Sequence, residues 1–254
     1  MFSKKCSYAV ILIILTSVLI YSQSNATRTL YQSSPIVALL NGVMNDSFTV
    51  GDIAKHGNFG LGTFNGVDGE MIVLDGKVYR VEYSGKVSMP GKSIKTPFVT
   101  VTNFHADTVF TIKDSLGLKQ LQEYIDKCLI SPNLIYAVKV AGKFKYVESR
   151  SEEKQVQPYS NLAEVLKNQS VFKFNEIEGV MVGFKIPAYM QGVNVPGYHF
   201  HFLSKDKKSG GHILNCTVEN VKVEIETLNN LDLKFPANKD FYNAEFDKKP
   251  SPGL

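Results

Sequence analysis

The stretch that decides the fold is Pro196-Gly197-Tyr198-His199-Phe200-His201-Phe202-Leu203, which Gly210-Gly211-His212 follows after a polar loop. Aromatic and imidazole side chains alternate along it, and this period of two predicts a β-strand with His199 and His201 on one face. The loop ends in two glycines, so the chain is predicted to return as a hairpin that resumes at His212. Facing side chains in a hairpin lie roughly 5–8 Å apart. The sequence therefore predicts three imidazoles within reach of one metal ion.

The chemistry of such a trio is set by its ligand count. Three of the five histidines fall between positions 199 and 212. Three neutral nitrogen ligands with an open fourth position are typical of a catalytic zinc site, whereas a structural site is closed by four protein ligands. From the spacing alone, two histidines on a solvated strand face are an equally good interpretation, because His-x-His is a loose pattern. Imidazole also binds other divalent transition ions.

The amino terminus has the layout of an export signal. Lys4 and Lys5 precede an apolar run from Tyr8 to Tyr21, and Ser24-Asn25-Ala26 provides small residues around a cleavage site. This pattern predicts a signal peptide over residues 1–26 and a secreted or extracytoplasmic protein. The apolar run is shorter than the ~20 residues that span a bilayer comfortably. An uncleaved membrane anchor is the alternative, and a cleaved leader leaves no stable membrane span.

Charge and cysteine content exclude other classes of protein. The whole chain carries a formal net charge of +4, and the leader contributes two of its lysines. With no basic footprint and no nucleic-acid-binding motif, nucleic acid is not an expected partner. Outside the leader, Cys128 and Cys216 belong to no Cys-x-x-Cys pair, which argues against a thiolate metal site. An exported chain can join them in a disulfide, and the sequence leaves this open.

The order of elements predicts a β-rich α+β fold in two parts. A glycine-rich stretch, 57–70, lacks the Gly-Lys-Ser/Thr of a phosphate loop and indicates close packing against a ligand or a neighbouring strand. Asp75-Gly76 predicts a hairpin turn between strands. We predict the remaining strands at 97–104, 108–112, 134–140, 144–150, 171–174, 178–186 and 220–228, a hairpin turn at 141–143, and helices after Pro35, at 114–130 and at 160–167.

Two further residues are candidates for chemistry. Glu70 begins a strand directly after the glycine-rich turn, where a solvated hairpin carboxylate is the simpler interpretation. Arg150 is one of only three arginines beside 25 lysines, so its flat, bidentate fork is a candidate for binding a carboxylate. A surface ion pair with Glu148 or Glu152 is an equally good interpretation of Arg150.

Taken together, these segments resemble the α-acetolactate decarboxylase family. The likeness runs in order from about Pro35 to Pro236, and the His-x-His…Gly-Gly-His block is its specific part. The residues that carry it are Leu61-Gly62-Thr63-Phe64-Asn65, Asp68-Gly69-Glu70-Met71-Ile72-Val73-Leu74-Asp75-Gly76, Thr96-Pro97-Phe98, Pro196-Gly197-Tyr198-His199-Phe200-His201-Phe202-Leu203 and Ser209-Gly210-Gly211-His212.

The resemblance implies a larger mixed-sheet domain with helices, placed here at 27–168, and a smaller barrel-like antiparallel domain at 169–235 that carries the metal. The tail would then run from 236 to 254. It also implies zinc on His199, His201 and His212, catalytic roles for Glu70 and Arg150, a substrate-pocket position for Thr63, and a homodimer. The family places a carboxylate from the tail near zinc. Neither Glu245 nor Asp247 matches that residue, so the tail carboxylate stays unassigned.

The activity that the resemblance implies is zinc-dependent decarboxylation of 2-acetolactate to acetoin and CO2 through an enediolate protonated on one face. A divalent cation can stabilise that charge as a Lewis acid. Two other functions stay open: a cupin-like metal oxygenase, and a secreted β-rich binding module with a structural zinc. The cupin pattern requires a Glu shortly after the second histidine, and 202–206 contains none.

Overall fold

The computed structural model describes residues 28–246, in which two β-sheets pack against each other. The predicted signal peptide, residues 1–26, lies outside the described residues, as do Asp247 and the rest of the tail. The β-rich α+β class predicted from the sequence is confirmed. Within the described residues, no helix combines the length and apolarity needed to cross a bilayer.

The first sheet has seven strands and is mixed. Its order is β13-β1-β6-β2-β3-β4-β5, and only the β1–β13 pair is parallel. The strands are β1 (Thr29–Ser33), β2 (Phe59–Thr63), β3 (Glu70–Leu74), β4 (Lys77–Val81), β5 (Val87–Ser88), β6 (Val99–Thr102) and β13 (Asn230–Lys234). The predicted β3–β4 hairpin is confirmed, with positive φ at both turn residues, Asp75 (52°) and Gly76 (73°).

The glycine-rich stretch packs against a strand of the same sheet. Gly62 on β2 faces Val99 on β6, and a Cβ added to Gly62 would collide with the Phe98 carbonyl oxygen. The sequence predicted close packing against either a ligand or a neighbouring strand, and at Gly62 the neighbour is a strand.

The second sheet closes on itself. Its order is β11-β10-β9-β12-β7, and β8 also pairs with β12. An additional pairing between β11 and β12 closes β11, β10, β9 and β12 into a ring. This is the barrel-like arrangement that the resemblance implies. The strands are β7 (Thr108–Ile112), β8 (Leu116–Gly117), β9 (Ile135–Ser151), β10 (Ser170–Ile186), β11 (Gly197–Ser204) and β12 (Gly210–Leu228).

The predicted hairpin turn at 141–143 is wrong. β9 runs without a turn, and its register with β10 is unbroken from Ser151↔Ser170 to Tyr136↔Lys185. Gly142 has a φ of 149°, and a Cβ there would collide with the carbonyl oxygen of Asn220. The glycine therefore serves a close approach of β9 to β12 rather than a turn. The predicted strands 171–174 and 178–186 are likewise parts of one strand, β10.

The helices are short: α1 (Ile36–Leu40), α2 (Val50–Ile53), α3 (Leu118–Asp126), α4 (Leu162–Leu166) and α5 (Lys239–Tyr242), with a 3₁₀ turn at Ala188–Met190. The predicted helices after Pro35 and at 160–167 are found as α1 and α4. The helix predicted at 114–130 is confirmed only as α3. It starts late because Leu116 and Gly117 pair with β12, and the Gln120 side chain accepts a hydrogen bond from the Gly117 N–H at its start.

One apolar core fills the ring and another lies between the two sheets. The inner core includes Phe144, Met181 and Phe202, whereas the second joins residues of the first sheet to residues of the ring. The sheets do not follow the predicted boundary at 168, because β7 and β9 precede it and pair with β12. The division into domains stays a prediction.

Candidate metal and active site

The three predicted histidines meet on the β11–β12 hairpin. His199 and His201 lie two residues apart on β11, and His201 faces His212 across the β11–β12 pair. One ring nitrogen from each histidine can be chosen so that all three lie within 4.8 Å of one another. His199 Nε2 is 3.2 Å from His212 Nδ1. Three imidazole nitrogens at this spacing can hold one metal ion.

The surroundings of His201 fit a metal ligand. Its Nδ1 lies 2.8 Å from the Met71 carbonyl oxygen, so Nδ1 carries the proton and Nε2 keeps a free lone pair. That Nε2 is buried and makes no hydrogen bond to any of residues 28–246, although a Glu70 carboxyl oxygen lies 3.2 Å away. A buried acceptor without a donor is costly unless something else binds it. The donor set therefore fits a divalent ion.

The protonation of the trio also suits metal binding. Burial lowers the pKa of all three histidines, and for His199 to about 3, with the positive charge of Arg150 as a further cause. Imidazoles with lowered pKa values are neutral at physiological pH. The neutral ring is the form that binds a metal ion.

Glu70 lies at the start of β3, opposite Thr63 on β2. Its side chain is buried, and burial, followed by the negative charge of Glu152, raises the pKa of Glu70 well above its usual value. The guanidinium of Arg150 acts in the opposite direction. A carboxyl group with a raised pKa holds its proton to a higher pH than a free glutamate does and can act as a general acid.

Arg150 lies near the end of β9, where it pairs with His212. It is buried, and its Nη1 donates a 2.9 Å hydrogen bond to Gln169 Oε1. Its Nε lies 3.4 Å from Glu152 Oε1. Of the two surface ion pairs considered from the sequence, the Glu152 contact exists but is buried, whereas Glu148 contacts Tyr146 and Lys173.

One cavity brings the predicted residues together. Its lining includes Thr63, Glu70, Arg150, His199, His201 and His212. Thr63 Oγ1 donates a 2.8 Å hydrogen bond to the Gly69 carbonyl oxygen, which holds the turn before Glu70. The lining also includes apolar side chains, among them Val67, Phe98, Leu162 and Leu166. The cavity thus offers a metal-binding face, charged groups and an apolar wall to a small molecule.

Glu152 lines the same cavity, and reasoning from the sequence missed it as a site residue. Only 2 % of its surface is exposed. A strand period of two places Glu152 on the same face as Arg150, but it places Glu148 there equally well. Glu152 also opens a polar run that contains Pro158, and such a run gives no sign of a buried carboxylate.

The described part of the tail and the two cysteines lie outside the cavity lining. Of the described tail residues, 236–246, none lines the cavity, so a role for a tail carboxylate stays untested. Cys128 is exposed, Cys216 is buried, and both are free thiols.

Comparison with known proteins identifies the family. The family model described as "Alpha-acetolactate decarboxylase" matches residues 30–248. A protein of that name from Methanosarcina mazei is 45 % identical over 222 residues, covering 87 % of this chain and 77 % of the relative. Another, from Brevibacillus brevis, is 39 % identical over 218 residues, covering 86 % of this chain and 76 % of the relative.

A solved structure agrees with the sequence matches. The crystal structure of α-acetolactate decarboxylase from Bacillus subtilis strain 168 superposes with a TM-score of 0.85 at 37 % identity, covering 87 % of this chain and 94 % of that one. Fold, sequence and the three-histidine site therefore lead to one conclusion: this chain belongs to the α-acetolactate decarboxylase family of enzymes.

Proposed function

We propose that this enzyme decarboxylates 2-acetolactate to acetoin and CO2 with a zinc ion held by His199, His201 and His212. The observation that carries the proposal is the single cavity in which three imidazole nitrogens, within 4.8 Å of one another, lie beside a buried acid and a buried arginine. A divalent ion there would supply Lewis-acid stabilisation of negative charge on the substrate oxygens.

Arg150 is the group that orients the substrate. Acetolactate carries a carboxylate next to a tertiary hydroxyl and a ketone, and a guanidinium fork matches a carboxylate in shape and charge. Arg150 is buried in the cavity lining, where water competes little for this contact. Holding the carboxylate fixes the direction in which CO2 departs.

Glu70 is the proton donor. When the bond to CO2 breaks, its electron pair delocalises into the adjacent carbonyl as an enediolate, and a proton must then reach carbon. The raised pKa of Glu70 favours the protonated form of this acid, and a carboxyl oxygen lies 3.2 Å from His201 Nε2, beside the metal site. Since one fixed acid delivers the proton to one face, the acetoin should be a single enantiomer.

Thr63 is proposed to line the substrate pocket, as the family resemblance implies. It faces Glu70 across β2–β3, and its hydroxyl holds the Gly69 carbonyl. We also expect a homodimer and an exported protein. Native mass spectrometry and amino-terminal sequencing of the mature protein would test these two expectations.

Measurement of acetoin from acetolactate, before and after treatment with a chelator, tests the function. We expect activity in the metal-loaded protein, loss on chelation and recovery on adding zinc, with one enantiomer seen by chiral chromatography. Full activity after complete metal removal would contradict the metal's role. Bound zinc without acetoin formation would favour a structural zinc in a binding module instead.

A further inference from the structure

Glu152 is the least explained charged group in the cavity. Its side chain is 3 % exposed, it follows β9 by one residue, and it lines the cavity together with Thr63, Glu70 and the histidines. A buried carboxylate is costly unless it is paired, so its position calls for a reason.

Its neighbours are the two groups that the proposed reaction uses. Glu152 Oε1 lies 3.4 Å from Nε of Arg150. The negative charge of Glu152 also raises the pKa of Glu70, so the two carboxyl groups interact. No other carboxylate forms an ion pair with Arg150 among the described residues. Glu152 therefore interacts with both Arg150 and Glu70.

The contact with Arg150 is loose. Both Arg150 Nε and Glu152 Oε2 are buried atoms without a hydrogen bond within the described part of the chain. Polar contacts in an enzyme without substrate are often long and tighten when the substrate fills the site. Gln169 holds Nη1, so a partner at Nε would fix the second edge of the planar guanidinium.

We propose that Glu152 is a positioning residue that holds Arg150 through Nε, so that the guanidinium presents its remaining donors to the carboxylate of the substrate. The inference rests on the proposed function and adds a residue to it. Glu152 would affect recognition of the substrate's carboxylate only through Arg150.

The test uses two non-reacting probes that differ by one group. Reducing the ketone of acetolactate gives 2,3-dihydroxy-2-methylbutanoate. In the second probe, 2-methylbutane-2,3-diol, a methyl group replaces the carboxylate of this diol. Isothermal titration calorimetry on zinc-loaded full-length protein gives the dissociation constant of each probe. Zinc content and thermal melting of every variant are measured alongside.

Glu152→Gln should weaken binding of the carboxylate probe by about 10- to 100-fold, the range expected for losing a hydrogen bond to a charged group. Binding of the neutral diol should change by less than about twofold, because that probe has no carboxylate for Arg150 to bind. KM for acetolactate should rise more than kcat falls. Glu152→Asp keeps the charge and should fall between the wild type and Glu152→Gln. The exposed neighbour Glu153 provides the matched control, Glu153→Gln, which should behave as the wild type.

A double-mutant cycle separates positioning from general damage. In an Arg150→Gln background, Glu152→Gln should have no further effect on the carboxylate probe, since the residue through which it acts is gone. Additive losses, or equal weakening of both probes, would overturn the inference. If Glu152→Gln does not fold, Glu152→Asp alone decides: selective weakening of the carboxylate probe supports the inference, and its absence rejects it. Wild-type protein that forms no acetoin would instead refute the proposed function.

Discussion

The histidine wall of the cavity (His199, His201 and His212) and its carboxylate wall (Glu70, Arg150 and Glu152) are assembled over different distances along the chain. The histidines come from one hairpin, and 13 positions separate the outer two. Glu70 comes from the first sheet, whereas Arg150 lies near the end of β9 in the ring and Glu152 directly follows that strand.

Metal binding and proton donation therefore depend on different parts of the fold. Metal binding requires the local register of β11 on β12, whereas the acid reaches the metal site only because the two sheets pack together. His201 is the link, since its Nδ1 contacts the backbone of Met71 in the first sheet. A change in the carboxylate wall should therefore remove chemistry while metal binding survives.

The largest expected effect is that of Glu70→Gln. The amide keeps the size of the side chain but is not an acid, so acetoin formation should fall about 10²- to 10⁴-fold, the range for losing general acid catalysis. Zinc content, measured by atomic absorption, should stay at the wild-type value. Glu153→Gln on the exposed loop is the control. Retained activity would show that another group is the acid, and lost zinc would show that the two walls are not separable.

A smaller effect is expected from a distortion of the histidine wall. Gly183 on β10 faces Phe200 on β11, and a Cβ there would collide with the His199 carbonyl oxygen and the Phe200 ring. Gly183→Ala should lower the free energy of unfolding by about 1–3 kcal/mol, as overpacking does, and should weaken zinc binding. Urea denaturation and zinc titration measure the two effects.

Gly91→Ala is the matched control for this substitution. Gly91 is exposed, and a Cβ added there would have no atom of the described chain within 4 Å. Its free energy of unfolding should stay within about 0.5 kcal/mol of the wild type. Equal stability of the two variants would mean that β11 can move away from β10 at no cost.

The smallest effect on the site itself is expected from a buried carboxyl away from both walls. Burial, followed by the charge of Asp107, raises the pKa of Glu226 to about 7. The folded protein therefore holds a proton that the unfolded chain releases above a pH of about 4.5. The resulting destabilisation is absent below that pH and complete above pH 7. Glu226→Gln cannot titrate, so its stability relative to the wild type should rise by about 1–3 kcal/mol from pH 5 to pH 8.

Urea denaturation at several pH values measures this trend. Glu123→Gln, on the exposed face of α3, should show none. If the difference in free energy of unfolding between Glu226→Gln and the wild type does not change with pH, ionisation of Glu226 does not destabilise the folded protein. Unchanged kcat in Glu226→Gln would show that burial alone does not place a carboxyl in the catalytic machinery.

Local sequence patterns predicted the histidine wall and the β3–β4 hairpin. The alternation of side chains and the Asp-Gly turn are each determined by a few neighbouring residues, so both can be recognised from the sequence. The same reasoning failed at Gly142, since a glycine required by a neighbouring strand looks the same in sequence as one required by a turn. It also could not separate Glu148 from Glu152. Both lie two residues from Arg150, and the difference in their burial comes from tertiary structure. At the end of β9, Ser151 Oγ donates a hydrogen bond to the Val81 carbonyl oxygen of the first sheet.

The register shifts of β12 have a consequence for how this enzyme can change in length. β12 carries extra residues opposite β9 at Leu214 and at Asn220, and Asn220 has a φ of 53°. Because side chains alternate, one more or one fewer residue near His212 would turn that imidazole to the opposite face. An insertion in the loop 205–209 leaves His212 on the same face of the strand. Insertions and deletions should therefore be tolerated in that loop, whereas β12 near His212 should keep a constant number of residues.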